Sequence, residues 1–549
     1  MKLNFKLVLA SVCLSLVVNS QNQLPENLVL TKRGCGTPAP SAEWDAWFNK
    51  KVEEYKANKP AGKVQTTSVT VPVIVHVIHP GSAVNVYPNL NGNQIRSQIT
   101  VLNKDYAGIG YNTSQLAATG FSAVGIANTN ITFCLAQFDP SGNPLAEAGI
   151  ERINSTTMGW ANPTSFTTDA SFQGYMDGIV KPNTIWDPTY YFNIWISDVD
   201  VNTVQLLGYA TFPAGSTLSG MPSAGNAATD GIWVWSRAFG STGTLQSPFN
   251  LGRTASHETG HYFGLRHIGG DGNGNVAGDC NATDYCDDTP PQKGGFGTGQ
   301  YGQNFGAPTY PLHVNVCSSP YGDMFMNFMD YVDDAYCYMF TPNQNDRIQT
   351  ALANGVFRNQ LGASSTSLCV GLPYANFVSD SIVCINSGLV PYNSTDGTPV
   401  PTYSWSVDPP AGVTYSPSST DASPNINFPV VGDYTVTMIA TNSVGVTSNT
   451  MALKLQDCTG IKENHLSAAN ISIAPNPSNG QLNINTNLNS DKDLQITIYN
   501  TLGQAIFSKN FIASSNTMNI DLSAYPGGVY IVNISTGSEK IVKRLILNK

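Results

Sequence analysis

His257-Glu258-Thr259-Gly260-His261-Tyr262-Phe263-Gly264-Leu265-Arg266-His267 is the stretch on which the reading of this chain turns. On an α-helix, positions i and i+4 share a face, so His257 and His261 can hold one metal ion between them. Imidazole nitrogens suit zinc, and a hydrolytic zinc site keeps one coordination position open. Glu258 falls beside that position, placed to take a proton from an attacking water. Gly264 can adopt the positive φ that ends a helix abruptly. The turn would bring His267 round as a third ligand. The remaining histidines, His76, His79, His313 and His465, carry no ligand spacing and read as structural or surface groups.

Around this stretch lie 549 residues, too many for one core. Only 12% are charged, while Gly and Pro number 50 and 33, the texture of a loop-rich and β-rich globular chain. A formal net charge of −10 argues against a partner whose phosphates must be neutralised, so no nucleic acid is expected. Lys2 and Lys6 precede an apolar stretch, 7–18, too short to span a bilayer, and Ser20 follows it. Residues 1–20 therefore read as a signal peptide. No later run is long and apolar enough for a transmembrane helix. An exported protein is expected to bond most of its cysteines. Of ten, Cys13 leaves with the signal peptide; nine remain, an odd count that leaves one without a partner in the chain.

Residues 21–66 are polar, with a helical stretch at 42–56, and sit where a propeptide would. The β-branched alternation of 69–78 predicts a strand, and Ile95, Ile99, Leu102 and Tyr106 predict one face of a helix. Residues 131–138 and 190–197 predict further strands. The fold class expected for 67–360 is thus α/β (α+β), a mixed twisted sheet with the metal-binding helix. Beyond residue 360, Ser, Thr, Pro and Gly separate short alternating stretches such as 402–407 and 433–440, then 494–499 and 529–534. These predict two small all-β sandwich domains, 370–458 and 470–549.

Asn327-Phe328-Met329-Asp330-Tyr331 lies downstream, with Met329 suited to pack beneath the histidines as an apolar base. With Val73–His76, Leu207-Gly208-Tyr209-Ala210, Arg266-His267-Ile268, Asp288-Thr289-Pro290 and Met339-Phe340-Thr341 in the same order, residues 69–350 resemble the pappalysin family of metzincin zinc metalloproteases, the group of ulilysin and the cytophagalysins. The resemblance implies an endopeptidase acting on proteins or peptides, with Tyr331 stabilising the transition state. It implies calcium as a second cofactor, with Asp284 and Thr289 at liganding positions and Asp287 and Asp288 beside them. Asp334, five residues after Met329, would favour a basic residue after the scissile bond. Cys280, Cys286, Cys317 and Cys337 allow three pairings; the family pattern implies Cys280–Cys317 and Cys286–Cys337, although 333–337 runs one residue longer here. Some relatives stay latent through a propeptide cysteine on the metal, for which Cys35 is the candidate; its removal leaves an even eight.

Tyr403-Ser404-Trp405-Ser406 and Gly432-Asp433-Tyr434-Thr435-Val436 resemble an immunoglobulin-like module of the polycystic-kidney-disease type, a ligand binder or a spacer. Pro475-Asn476-Pro477, Leu502-Gly503-Gln504 and Gly527-Gly528-Val529-Tyr530 resemble the sorting domain of type IX secretion. That implies the secretion machinery as a partner and a destination outside the cell or on its surface. A cell-surface adhesin on a protease-like scaffold is the competing reading, and it has no need of Glu258 and three histidines together.

Overall fold

The computed structural model describes residues 34–548 apart from 60–67, 218–223, 271–279, 296–302, 386, 458–470, 487–492, 501–503, 513–516 and 537–538. The expected signal peptide, the first part of the propeptide and part of Leu502-Gly503-Gln504 lie outside the described residues.

Strand β1 (Val69–His79) is buried from Val71 to its end, on both faces, as a central strand covered by helices must be. It pairs in parallel with β2 (Ile131–Leu135) along its first half and β3 (Ile150–Asn154) along its second. On its other side runs β4 (Phe192–Ser197), then β6 (Ile232–Trp235), both parallel. The antiparallel β5 (Gly208–Ala210) closes that edge against β6. The sheet is mixed, as the sequence predicts; β3, β5 and β6 are additional to the strands expected from it.

Before β1 comes helix α1 (Ala42–Asn58), capped by Ser41, whose hydroxyl accepts from Trp44 N. Helix α2 (Gly92–Tyr106), capped by Asn91, lays Ile95, Ile99, Leu102 and Tyr106 on the sheet, the face its spacing predicts. Helices α3 (Asp169–Tyr175) and α4 (Lys181–Thr184) flank a π-helical turn, 176–180. Helix α5 (Arg253–Tyr262) carries the metal-binding stretch, and α6 (Pro342–Asn354) starts with a capping box from Thr341 and Gln344. One core joins these elements, and it includes Trp44, Phe48 and Val52 of α1.

Residues 371–456 form a β-sandwich around Trp405, Val436 and Met438, whose principal sheet includes Thr402–Asp408, Gly432–Thr441 and Val446–Gln456. From Ile471 onward, a three-stranded and a four-stranded sheet enclose a separate core of Ile484, Ile496, Val532 and Leu545. Both expected all-β units are present. A disulfide, Cys134–Cys369, fastens β2 to the segment leading into the first of them.

Candidate active site

Helix α5 is fixed at its start by charge. Asp334 is fully buried and its Oδ2 accepts from Leu251 N (2.8 Å) and Arg253 N (3.3 Å), placing an anion at the positive end of the helix. Arg253 pairs with the buried Asp105 of α2, whose other oxygen accepts from Ser256 Oγ at 2.6 Å. Gly252 turns the chain into the helix with φ 78°, and Gly264 turns it out with φ 86°, both left-handed values that suit glycine.

Two carbonyls settle the chemistry of the histidines. His257 Nδ1 donates to Phe328 O and His261 Nδ1 donates to Leu265 O, each at 2.7 Å. A carbonyl only accepts, so the proton sits on Nδ1 and the Nε2 lone pairs point inward. Nε2 of His261 lies 3.2 Å from that of His257 and 3.0 Å from that of His267. Two nitrogens bound to one tetrahedral zinc at 2.0–2.1 Å would stand roughly 3.3 Å apart. The lone pairs of His257 and His261, converging in a buried site, repel one another unless a cation lies between them, and His267 Nε2 stands beside them. The residues fit zinc.

The surroundings complete the site. Met329 is buried, with its sulfur against Gly260, where an added Cβ would lie 2.5 Å from Sδ. The Met329 carbonyl accepts from Ile268 N, tying this turn to the chain just beyond His267. Tyr331 OH stands 2.9 Å from His267 Nε2. Glu258 is 1% exposed, and β5 passes directly over it; a Cβ on Gly208 would lie 2.6 Å from Glu258 Cγ.

Into this cleft runs the segment containing Cys35. It pairs in parallel with β5, Leu207 N donating to Gly34 O and Gly36 N to Gly208 O. Among the described residues, the cluster of metal-ligating side chains is Cys35 with His257, His261 and His267, their ligand atoms within 4.8 Å of one another. The Cys35 thiol lies 3.6 Å from Glu258 Oε2. Burial and the Glu258 carboxylate push that thiol well up, so a thiolate here needs a positive charge beside it. Thr37, which sequence reasoning missed, donates from its hydroxyl to Glu258 Oε2 at 3.0 Å and accepts from Ala210 N at 2.8 Å.

Elsewhere the expectations divide. Asp284 and Thr289 meet: Thr289 Oγ1 lies 2.8 and 2.9 Å from the two Asp284 oxygens and 2.8 Å from Cys286 O. Asp288 turns away to cap α6, accepting from Thr341 Oγ1 and Asn343 N, and Asp287 is exposed. Cys280–Cys317 forms. Cys286–Cys337 does not, which corrects the expected second bridge. Each thiol is turned back onto its own loop, toward Asp284 O and Asp334 O respectively, and Cys337 follows a tight turn closed by Tyr336 N and Asp333 O.

A zinc-ligand helix with a methionine turn beneath it defines a metzincin-type metalloendopeptidase. Residues 174–353 match the family described as pregnancy-associated plasma protein-A, and 472–548 match the secretion system C-terminal sorting domain. An extracellular metalloprotease of Pyricularia oryzae is 28% identical over 59% of this chain and 89% of its own length. One from Verticillium alfalfae is 27% identical over 58% and 88%. Among solved structures, mature mirolysin of Tannerella forsythia in complex with a cleaved peptide is 33% identical; the match covers 56% of this chain and all of that one, with a TM-score of 0.43. A promirolysin mutant from the same organism is 31% identical, with 62% and 100% covered and a TM-score of 0.47. The chain belongs to the pappalysin family and is a zinc metalloendopeptidase, bearing a type IX sorting domain that directs it outside the cell or to the cell surface. Among the described residues, no helix is long and apolar enough to cross a membrane.

Burial pushes the Asp284 carboxyl up to about 7 from an ordinary 3.8, with Thr289 and the Cys286 N–H pulling it partly back. The folded state thus holds this proton more tightly than the unfolded chain. Its contribution is complete below about pH 4 and is lost as pH rises through about 7, up to roughly 4 kcal/mol. In calcium-free buffer, Asp284→Asn should flatten the fall in melting temperature between pH 5 and pH 8; parallel curves for variant and parent would refute this.

Proposed function

We propose that this enzyme cleaves extracellular proteins or peptides with Glu258 as proton carrier, favours a basic residue after the scissile bond, and is made as a latent precursor. The observation that carries the reading is the convergence of three Nε2 atoms and the Glu258 carboxylate beneath the edge of β5. A bound zinc ion supplies Lewis-acid polarisation and makes water acidic enough to attack at neutral pH. Glu258 takes the proton of that water and returns it to the leaving amine. Tyr331 OH donates to the oxygen on which negative charge builds, an interaction that strengthens toward the transition state. Glu258→Ala should retain one zinc per chain, measured by elemental analysis, with peptidase activity down at least about a thousandfold. Substantial activity in the zinc-loaded variant would refute the role.

The basic preference rests on the resemblance and on a buried acid, Asp334, in the segment that carries Tyr331. The amides of Leu251 and Arg253, at the start of α5, already draw on its Oδ2, so its pull on Arg or Lys would be that of a buried charge. Cleavage-site profiling on a peptide library should show Arg or Lys enriched directly after the cut. An even distribution there would count against Asp334.

For processing, we assign 1–20 as signal peptide, 21–66 as propeptide, 67–360 as the catalytic domain, 370–458 as the immunoglobulin-like module and 470–549 as the sorting domain. Calcium at Asp284 and Thr289 is supported by their converging oxygens, which with the Cys286 carbonyl suit a hard cation. It would hold Asp284 ionised, so added calcium should raise the parent's melting temperature at pH 8. Latency is supported by the Cys35 thiol, whose sulfur and the three histidine ligand atoms lie within 4.8 Å of one another, and by Thr37 on Glu258. A Cys35→Ala precursor should cleave peptides at least tenfold faster than the parent precursor; undiminished latency would exclude the thiol.

A further inference from the structure

Latency through a thiol accounts for Cys35 and leaves α1 unexplained. This helix places Trp44, Phe48 and Val52 at four-residue intervals on one buried stripe, with Asp45 beside it. The stripe fits a shaped groove. Trp44 Nε1 donates to Pro213 O at 2.7 Å, and its ring meets Phe212 edge-on at 5.1 Å. Phe48 fills the space over Gly264, where any Cβ would lie 2.6 Å from its ring, and the Arg347 guanidinium stands 4.9 Å from the same ring. Both Asp45 oxygens accept from Arg266 Nη1 at 2.9 Å, in largely dry surroundings. Arg347 Nη1 donates to Asn49 Oδ1 at 2.7 Å, and Lys59 pairs with Asp346. The other face of α1 carries Lys50, Lys51, Glu53 and Glu54.

The groove also touches the metal site. Phe212 lies 5.5 Å from the ring of His261, and Arg266 precedes His267 in the chain. Apolar anchors at i and i+4, with an acid that answers a buried arginine, make up a helix-in-groove recognition surface. Such a surface does not need the covalent link to β1.

We propose that this groove is a docking site for an amphipathic helix with an acid beside its apolar stripe, and that its ligand is residues 34–59 of this chain, which after cleavage rebind the enzyme and inhibit it in trans. This rests on residues 21–66 being the propeptide. The helix supplies the affinity, and Cys35 with Thr37, at the end of the same segment, supply the block on the cleft. An isolated helix of 17 residues is marginal in water, so α1 folds as it binds.

The test uses the activated enzyme, its new N-terminus read by sequencing, and synthetic fluorescent peptides 34–59. Binding is followed by anisotropy and cleavage by a peptide substrate. The parent peptide should bind saturably and inhibit. Phe48→Ala and Asp45→Asn in the peptide should each weaken binding at least tenfold, whereas Cys35→Ala should still bind saturably and lose more inhibition than binding. No binding by the parent peptide up to about 1 mM, equal binding by the Phe48 and Asp45 variants, or loss of all binding with Cys35→Ala would overturn the proposal. An N-terminus upstream of Ala42 would overturn the propeptide assignment and this inference together. An N-terminus beyond Asn58 with no peptide binding would overturn the docking alone.

Discussion

Phe328 O and Leu265 O accept the Nδ1 protons of His257 and His261, and this constraint forces the inner nitrogens to present lone pairs to one another. Bringing those two lone pairs to 3.2 Å in a buried site is unfavourable unless a cation joins them. The rest of the catalytic domain holds that arrangement. Asp334 and Asp105 fix the start of α5, Gly264 releases the chain to return His267, and Met329 fills the space beneath.

The same geometry explains why the cleft can be closed from one side. Because β5 crosses Glu258 at a glycine, a strand paired with β5 at that point runs close to the Glu258 carboxylate. Residues 34–37 take that route, and Thr37 engages both the β5 amide and Glu258. Helix α1 continues the segment onto the far side of His261 and His267. The polar composition of residues 21–66 conceals this, since only one stripe of α1 is apolar.

Acidic residues show how position outranks identity. Asp284, Asp287 and Asp288 read alike in sequence. In the structure one is buried with its carboxyl pushed up to about 7, one caps α6 and one meets solvent. Asp330, next to Met329, is likewise pushed up to about 7 by burial while four donors from Asn304, Tyr331 and Gln292 hold it.

The sequence by itself marked the candidate zinc histidines and Glu258 on one helix, the methionine downstream of them, the mixed sheet with its long strands, and the order of the three folded units. These are local properties: a helical repeat puts His257 and His261 on one face, and alternation marks a strand, whatever the partners are. Only the tertiary structure decided the tautomers, the capping role of Asp334, the hold of Thr37 on Glu258 and the seat of α1. It also decided that Cys280 pairs with Cys317 while Cys286 and Cys337 face their own loops. Apart from the bond of His261 to Leu265 O, four residues away, each of the first four joins residues far apart in the chain, 221 for both Thr37–Glu258 and Asp45–Arg266. No local spacing encodes such contacts, because they exist only once the core has brought the segments together.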